Sequence, residues 1–363
     1  MDDTVYMQMA LDAAQVALGR TSPNPAVGAI LVKDHRVIGF GAHLVAGGPH
    51  AEVHALSMAG SQARGSTLFV TLEPCAHYGK TPPCADQVIA AGVTRVVVAR
   101  LDPFPFVSGR GVERLRQAGI EVEVGCLESA ATRLNAPFLH FAQTGLPYVI
   151  WKTAATLDGF VATEDGDSRY VTGEESRAHV HRLRDQVDAI VVGVGTVIQD
   201  DPQLTVRLPT GGRNPVRVVF DTHLRTPLSA RVVKDTAART VILCGSEADV
   251  EREQALRQSG VEVWRIPTSD CGGQVSLPDA LKRLAQADLI YILLEGGSAL
   301  ATSFMQAHAI QRIWYFLSPK LLGAGIPALR SFGFQQMRDA IVLSDLEVKT
   351  FGSDVLVMGS PWG

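Results

Sequence analysis

The sequence predicts an α/β protein of two domains, each an α/β/α layered domain in which helices cover both faces of a sheet. Short apolar runs typical of buried strands alternate with helical segments along most of the 363 residues. This length suffices for two domains of ordinary size. Gly145 and Pro147 interrupt the pattern, so we place one domain at residues 1–145 and the other at 147–363.

The composition is that of a soluble globular protein. Hydrophobic residues make up 46% and charged residues 19%, and the net charge of −4 offers no electrostatic footprint for nucleic acid. The sequence contains no stretch of about 18 apolar residues and no positively charged leader, which predicts neither a transmembrane helix nor a secretory signal. The five scattered cysteines fit a reducing compartment. We therefore expect a cytoplasmic protein that binds neither nucleic acid nor membranes.

The first domain is predicted to contain a helix, a β-hairpin, and then helices and strands in alternation. A glycine follows each of the four predicted helices, and glycine is common directly after a helix C-terminus. Asp34 and His35 form the turn of the hairpin. The predicted segments are Val5–Leu18, 26–43, His50–Ala59, Thr67–Leu72, Cys84–Ala91, Val93–Arg100, Val112–Ala118 and Ile120–Gly125.

The second domain continues the alternation and ends in an antiparallel hairpin. Its predicted strands are residues 148–156, 189–195, 216–221, 240–245, 261–266, 289–295 and 312–318, with the hairpin at 346–359. Gly296 and Gly297 lie between a buried strand and a helix, where backbone N–H groups can hold a phosphate and Ser298 could cap the helix. A plain tight turn is the alternative. The segment at 192–202 lacks the third glycine of a dinucleotide fingerprint, because Ile198 stands there.

Cys75 and Cys84 predict a metal site in the first domain. Eight residues separate them. Cys75 follows a strand, and Cys84 opens a helix whose positive end favours a thiolate. His50, at the start of another helix, is the strongest candidate for a third ligand. Catalytic zinc takes three such nitrogen and sulfur ligands plus a water, and Glu52 would then face that water as a proton carrier.

Several alternatives for this site stay open. His54 lies one helical turn after His50, and such a pair can bind zinc, although the zincin pattern requires Glu where this chain has Ala51. His77, between the two cysteines, is another possible ligand. The two cysteines could also belong to a closed structural zinc site or be two unpaired buried thiols. In either case Glu52 would have no role in catalysis.

The segments "PHAEVHAL", "EPCAHYGKTPPC" and "SPNPAVGAILVKD" carry a family resemblance. His-Ala-Glu followed by Pro-Cys and a second Cys is the pattern of the zinc deaminases, whose nucleobase members have two residues between the cysteines. With eight, this chain resembles the bifunctional deaminase–reductase family of riboflavin biosynthesis over nearly its whole length. The resemblance implies a cytidine-deaminase-like first domain and a dihydrofolate-reductase-like second domain.

The resemblance also implies two reactions and their cofactors. With Zn²⁺, the first domain would deaminate 2,5-diamino-6-(5-phosphoribosylamino)pyrimidin-4(3H)-one. With NADPH, the second domain would reduce the ribosyl group of the product to ribityl. The family association suggests a homodimer or homotetramer. Two rival functions remain: a nucleoside or tRNA deaminase with an unrelated appended domain, and a deaminase whose second domain only binds nucleotide or dimerises.

Site residues follow from the resemblance by matching of motifs. Zinc would be held by His50, Cys75 and Cys84, with Glu52 as the proton shuttle. Lys152 would polarise or protonate the ribose oxygen, with Asp200 as its candidate partner. The implied substrate contacts are Asn24, His43 and Lys80 in the first domain and Ser168, Arg184, Leu204, Arg207 and Glu295 in the second. The implied NADPH contacts are Ala154 or Ala155, Tyr170, Thr196, Asp200, Thr222, Gly297, Ser298, Ala299, Leu300, Ala301, Thr302 and Ser303.

Overall fold

A computed structural model describes residues 2–76, 83–104, 107–269 and 273–362. The chain forms two compact units, Met1–Gly145 and Leu146–Gly363. Among the described residues, no helix is both long and apolar enough to span a bilayer.

The first unit begins with a helix capped by Asp2, whose side chain accepts a hydrogen bond from the backbone of Thr4. The hairpin turns at Asp34 and His35, both with positive φ, as the sequence predicts. The elements are α1 (Asp3–Gln15), β1 (Gly28–Lys33), β2 (Arg36–Ala42), α2 (Ala51–Ala59), β3 (Thr67–Val70), α3 (Cys84–Ala90), β4 (Arg95–Val98), α4 (Arg110–Gln117), β5 (Glu121–Val124), α5 (Glu128–Leu134) and α6 (Ala136–Thr144).

The described strands of this unit form one five-stranded sheet in the order β2-β1-β3-β4-β5. Strand β1 runs antiparallel to both β2 and β3, whereas β3, β4 and β5 are parallel. Alternate strand residues enter two separate cores, as the two-residue period of a strand requires. One core packs against α2, α3 and α4 and the other against α1 and α5, which confirms the three-layer prediction.

The second unit is larger, and a strand opens it. Its elements are β6 (Tyr148–Thr156), β7 (Phe160–Ala162), α7 (Glu174–Gln186), β8 (Ala189–Gly193), α8 (Val194–Asp200), β9 (Val216–Phe220), α9 (Arg231–Lys234), β10 (Thr240–Gly245), α10 (Val250–Gln258), β11 (Glu262–Ile266), α11 (Leu277–Ala285), β12 (Tyr291–Leu294), α12 (Ser298–Gln306), β13 (Arg312–Ser318), β14 (Ile326–Pro327), β15 (Ser344–Phe351) and β16 (Asp354–Ser360).

Nine described strands of this unit form one sheet in the order β11-β10-β9-β8-β12-β6-β13-β16-β15. All neighbours from β11 to β13 are parallel, and β16 and β15 add antiparallel strands at one end. Helices α11 and α12 cover one face, and α7 to α10 cover the other. The central strands are therefore buried on both faces, which accounts for their uninterrupted runs of Val, Ile and Leu.

Three local predictions need correction. The strand predicted at 189–195 ends at Gly193, and Gly195 already belongs to α8. Ser298 does not cap α12: Gly297 occupies the N-cap position and Ser298 is the first helical residue. Helices α5 and α6, which the sequence did not predict, follow β5 and complete the first unit.

Candidate active sites

The first site lies where β3, α2 and α3 approach one another. His50 precedes α2 with extended backbone, Cys75 follows β3, and Cys84 is the first residue of α3. Helix α2 packs closely on β2 because Gly39 and Gly41 carry no side chain. A Cβ at either position would lie 2.2 Å from a carbonyl oxygen of α2, far inside van der Waals contact. The two glycines therefore set the distance between β2 and α2, the helix that follows His50.

The structure brings the three predicted ligands together. His50 Nδ1 lies 3.2 Å from the Cys84 sulfur and 3.7 Å from the Cys75 sulfur. One donor atom from each residue falls within 4.8 Å of the other two. An imidazole nitrogen and two sulfurs at this spacing match the donors of a zinc site that keeps one position open. The predicted rival His54 is outside this group, and His77 lies outside the described residues.

The pKa values of the two thiols move in opposite directions, because each thiol acts on the other. The pKa of Cys75 falls to about 4, because hydrogen bonds with Cys84 and His50 lower it against the opposing effect of burial. The hydrogen bond between the two thiols, together with burial, raises the pKa of Cys84. A lowered thiol pKa favours the thiolate form that a metal ligand needs.

Glu52 is buried beside these ligands and is suited to proton transfer. Burial raises its pKa to about 7, against the attraction of His50. A carboxyl group that titrates near neutral pH can both accept and return a proton during a reaction. Burial and a pKa near neutral are what the predicted proton-carrier role of Glu52 requires.

Of the three predicted substrate contacts in this unit, His43 is the best placed. Its ring is buried edge-on to His50, with 5.5 Å between the ring centroids, and its Nδ1 lies 3.1 Å from the Pro49 oxygen. Within the described part of the chain, its buried Nε2 has no hydrogen-bond partner. Asn24 is exposed in the loop before β1, and Lys80 lies outside the described residues.

Asn135 supports this loop, although sequence reasoning missed it. Its buried side chain accepts a hydrogen bond from the Ala26 N–H at 2.8 Å and donates one to the Ala26 oxygen at 2.9 Å. These bonds fix the backbone two residues after Asn24. An isolated asparagine is too common in sequences to indicate a tertiary contact of this kind.

The second site lies at the carboxyl ends of β8 and β12, which are neighbours in the sheet. Such edges of parallel sheets are the usual place for ligands. The first residues of α8 and α12 meet there: a Cβ built on Gly297 would lie 3.7 Å from Thr196 Oγ1. By helix geometry the N–H groups at 298–300 lack partners within α12.

Arg184, Glu295 and Lys152 form a charged cluster at this edge. Arg184 binds Glu295 through two parallel hydrogen bonds of 2.8 Å. Burial would raise the pKa of Glu295, but Arg184 overrides it and holds the pKa at about 2. Burial lowers the pKa of Lys152, and the attraction of Glu295 opposes this. Arg184, predicted to contact substrate, is thus already paired with another predicted substrate residue.

Among the described residues, no contact of Asp200 with Lys152 is seen, so their pairing stays a prediction. The charged groups that act on Lys152 are Glu295 and Arg184. Asp200 ends α8 and instead lines an open cleft with Ser168 and the rest of the loop 165–169. The backbone oxygen of Asp200 accepts a 2.7 Å hydrogen bond from Arg169.

Three further predicted residues surround this edge. Tyr170 is exposed, and the guanidinium carbon of Arg177 lies 4.4 Å from the centre of its ring. Thr222 is buried after β9, and its hydroxyl donates to Gln274 at 3.1 Å. Ala154 faces the small core beside α7. Of these side chains, that of Tyr170 presents the most surface to a ligand.

The remaining predicted residues of the second unit differ in how exposed their side chains are. Leu204 has its side chain in the core, at a positive φ of 52°. Arg207 is exposed, and its N–H donates to His181 at 3.2 Å. Burial, Arg184 and Arg207 lower the pKa of His181 to about 4, which keeps this ring neutral. In the predicted phosphate cradle, Ala301 and Thr302 are buried, which leaves the start of α12 to face a ligand.

Comparisons with known proteins match both units of the chain. The model of the "cytidine and deoxycytidylate deaminase zinc-binding region" matches residues 1–100, and that of the "RibD C-terminal domain" matches residues 147–357. The chain is thus a zinc-binding deaminase domain joined to a reductase domain of the riboflavin pathway.

Full-length relatives name the family. The riboflavin biosynthesis protein RibD of Bacillus amyloliquefaciens is 43% identical over 98% of this chain and 95% of its own length. That of Escherichia coli is 39% identical, with 98% of both chains covered. The chain belongs to the RibD family of riboflavin biosynthesis proteins.

Solved structures extend the likeness to the whole fold. RibD of Acinetobacter baumannii superposes with a TM-score of 0.89 at 38% identity, over 99% of both chains. A diaminohydroxyphosphoribosylaminopyrimidine deaminase/5-amino-6-(5-phosphoribosylamino)uracil reductase from Thermotoga maritima gives 0.87 at 38% identity, over 99% of this chain and 98% of its own.

Proposed function

We propose that the chain catalyses two successive steps of riboflavin biosynthesis. The first is hydrolytic deamination of 2,5-diamino-6-(5-phosphoribosylamino)pyrimidin-4(3H)-one, and the second is reduction of 5-amino-6-(5-phosphoribosylamino)uracil by NADPH. The observation that carries the proposal is the cluster of His50, Cys75 and Cys84 beside buried Glu52, in a chain of the RibD family. We assign deamination to residues 1–145 and reduction to residues 147–363.

In the deaminase unit, His50, Cys75 and Cys84 would hold Zn²⁺, which supplies an acidified water at neutral pH. Glu52 takes the proton of the attacking water and delivers it to the departing amine. Its pKa of about 7 matches a group that must change protonation twice in each turnover. His43 offers its buried Nε2 to the substrate, and Asn24 and Lys80 are further proposed contacts.

In the reductase unit, NADPH would supply the hydride. We assign its pyrophosphate to the start of α12 and its other contacts to Ala154, Tyr170, Thr196, Asp200 and Thr222. Lys152 would donate a proton or hydrogen bond to the ribose oxygen, because burial lowers its pKa and so makes the proton easier to give up. Ser168, Leu204, Arg207 and the Arg184–Glu295 pair are the proposed substrate contacts.

The partners of the chain are, in our proposal, small phosphoribosyl-pyrimidines and further copies of itself. Strand β15 supports self-association: it is an edge of the nine-stranded sheet, and Leu346 and Val348 on it are exposed. Exposed apolar edges of this kind favour pairing with another chain. We propose a cytoplasmic homodimer or homotetramer that does not bind nucleic acid.

A coupled assay on the purified chain tests both activities. The diaminopyrimidine is supplied with NADPH, and ammonia release and NADPH oxidation are recorded together. We expect both signals, with the first abolished by a chelator. Ammonia release without NADPH oxidation would reject the reductase assignment, and turnover of cytidine or tRNA in place of the diaminopyrimidine would reject the substrate.

A further inference from the structure

Glu73 lies between β3 and the zinc ligand Cys75, and its buried carboxylate binds the chain around α4. It accepts hydrogen bonds from four backbone N–H groups. Oε2 accepts from the N–H groups of Asp102 at 3.2 Å and Gly109 at 2.9 Å. Oε1 accepts from those of Gly111 at 2.8 Å and Val112 at 3.2 Å. Three of these donors belong to the start of α4, where helical N–H groups lack partners of their own.

A second observation brings α4 against the same segment. A Cβ built on Gly111 would lie 1.9 Å from the carbonyl oxygen of Pro74. Only glycine permits this approach, so the start of α4 touches the peptide bond that joins Pro74 to Cys75. The carboxylate of Glu73 and the bare backbone of Gly111 thus fix this peptide from two sides.

Cys75 is held on its other side by α3. The Cys84 N–H lies 3.3 Å from the Cys75 sulfur, and the Ala85 N–H donates to the Cys75 oxygen at 3.1 Å. Glu73 is also anchored by its own backbone, whose N–H donates to the Arg100 oxygen at 2.9 Å. Cys75 therefore sits on a short segment with fixed points before and after it, as a preformed metal site requires.

We propose that Glu73 is a positioning residue of the deaminase site, which holds the Cys75 thiolate at the distance from His50 and Cys84 that zinc requires. It acts through the backbone and does not touch the metal or the substrate. The inference rests on the ligand set proposed above. It adds a residue that neither the metal cluster nor the predicted substrate contacts include.

The test compares Glu73→Gln with Glu113→Gln. The glutamine at 73 keeps the shape of the side chain but replaces one accepting oxygen by an NH₂ group, which faces N–H donors. Glu113 lies in the first turn of the same helix and, among described residues, binds only Gln117 on the exposed face, at 3.1 Å. Both variants remove one negative charge from the start of α4, but only the first disturbs the segment before Cys75.

Zinc affinity, measured by competition with a chromophoric chelator, is the first readout. We expect E73Q to bind zinc about 10- to 100-fold more weakly than wild type, as changes in the groups that orient metal ligands commonly do. E113Q should bind within about twofold of wild type. Absorbance of the Co²⁺-loaded proteins is the second readout, and we expect E73Q alone to show altered thiolate-to-cobalt bands.

Thermal unfolding of the zinc-free proteins separates positioning from simple capping of α4. Equal zinc affinity and equal Co²⁺ spectra in E73Q and wild type, with only a lower melting temperature, would overturn the proposal. If E73Q fails to fold, Glu73→Asp serves instead: it keeps the charge, shortens the reach, and should weaken zinc in the same direction. If the wild-type chain binds no zinc, the proposed ligand set is overturned as well. If wild type and E73Q both bind zinc tightly, only the role of Glu73 is overturned.

Discussion

Replacing Glu295 by Gln should destabilise the second unit strongly, because Arg184 then loses its buried partner. The two side chains are only 12% and 10% exposed. The pKa of Glu295 falls from its ordinary 4.5 to about 2 in the folded protein. At about 1.4 kcal/mol for each pKa unit, this fall corresponds to about 3 kcal/mol of stability at neutral pH. Loss of one partner from a buried ion pair typically costs about 3–5 kcal/mol, so the two figures agree.

Urea unfolding followed by tryptophan fluorescence measures this effect. The chain has four tryptophans, at positions 151, 264, 314 and 362, so the signal reports the second unit alone. Glu262→Gln is the matched control: Glu262 also forms two hydrogen bonds with an arginine, Arg239, but both side chains are more than 40% exposed. Exposed pairs contribute about 0–1 kcal/mol.

The pH dependence gives a second check on Glu295. A carboxyl group whose pKa is lower in the folded protein contributes stability above its unfolded pKa and loses it as pH falls through the folded value. The difference between wild type and Glu295→Gln should therefore be full above about pH 4.5 and shrink towards pH 2. A loss no greater than that of Glu262→Gln at pH 7 would refute the reasoning.

Three other substitutions test the two sites and the assembly. Glu52→Gln should retain zinc yet slow ammonia release by at least about 100-fold, because the proton carrier is lost; loss of zinc by elemental analysis would instead make Glu52 a ligand. Lys152→Met should slow NADPH oxidation by at least about 100-fold and leave ammonia release unchanged; equal rates would remove Lys152 from the chemistry. Val348→Asp on strand β15 should reduce the mass found by light scattering, whereas the same change at exposed Val342, outside the strand, should not; unchanged mass in both would exclude this edge.

The zinc cluster could be predicted from sequence because its residue types are rare and each marks the end of an element. His50 and Cys84 lie at the starts of α2 and α3, Cys75 lies in the loop after β3, and the fold brings the three residues together. Glu73 could not be found in this way, since its partners are backbone N–H groups 29 to 39 residues further along the chain. A glutamate after a strand has no pattern that indicates such a contact.

In the second unit, too, the sequence predicted the elements of secondary structure but not the contacts between them. Its strands were predictable because they are apolar on both faces. The pairing of Arg184 with Glu295 was not, since α7 and β12 meet only through the order of strands in the sheet. Helices α5 and α6 escaped prediction because few of their residues are buried: Ala131 in the first, and Phe138 and Leu139 in the second. So few buried positions carry little apolar periodicity.

A substitution at either glycine of β2 should slow the deaminase, although neither residue is a proposed metal ligand, because these glycines let α2 pack closely. An ordinary contact needs at least 3.4 Å, so an alanine at Gly39 or Gly41, whose Cβ would start at 2.2 Å, must lift α2 by about 1 Å. A displacement of that size at a reacting group can cost about 100-fold in rate. Protein engineers who wish to change the substrate should therefore keep residues 39 and 41 as they are and vary the loops that surround the metal.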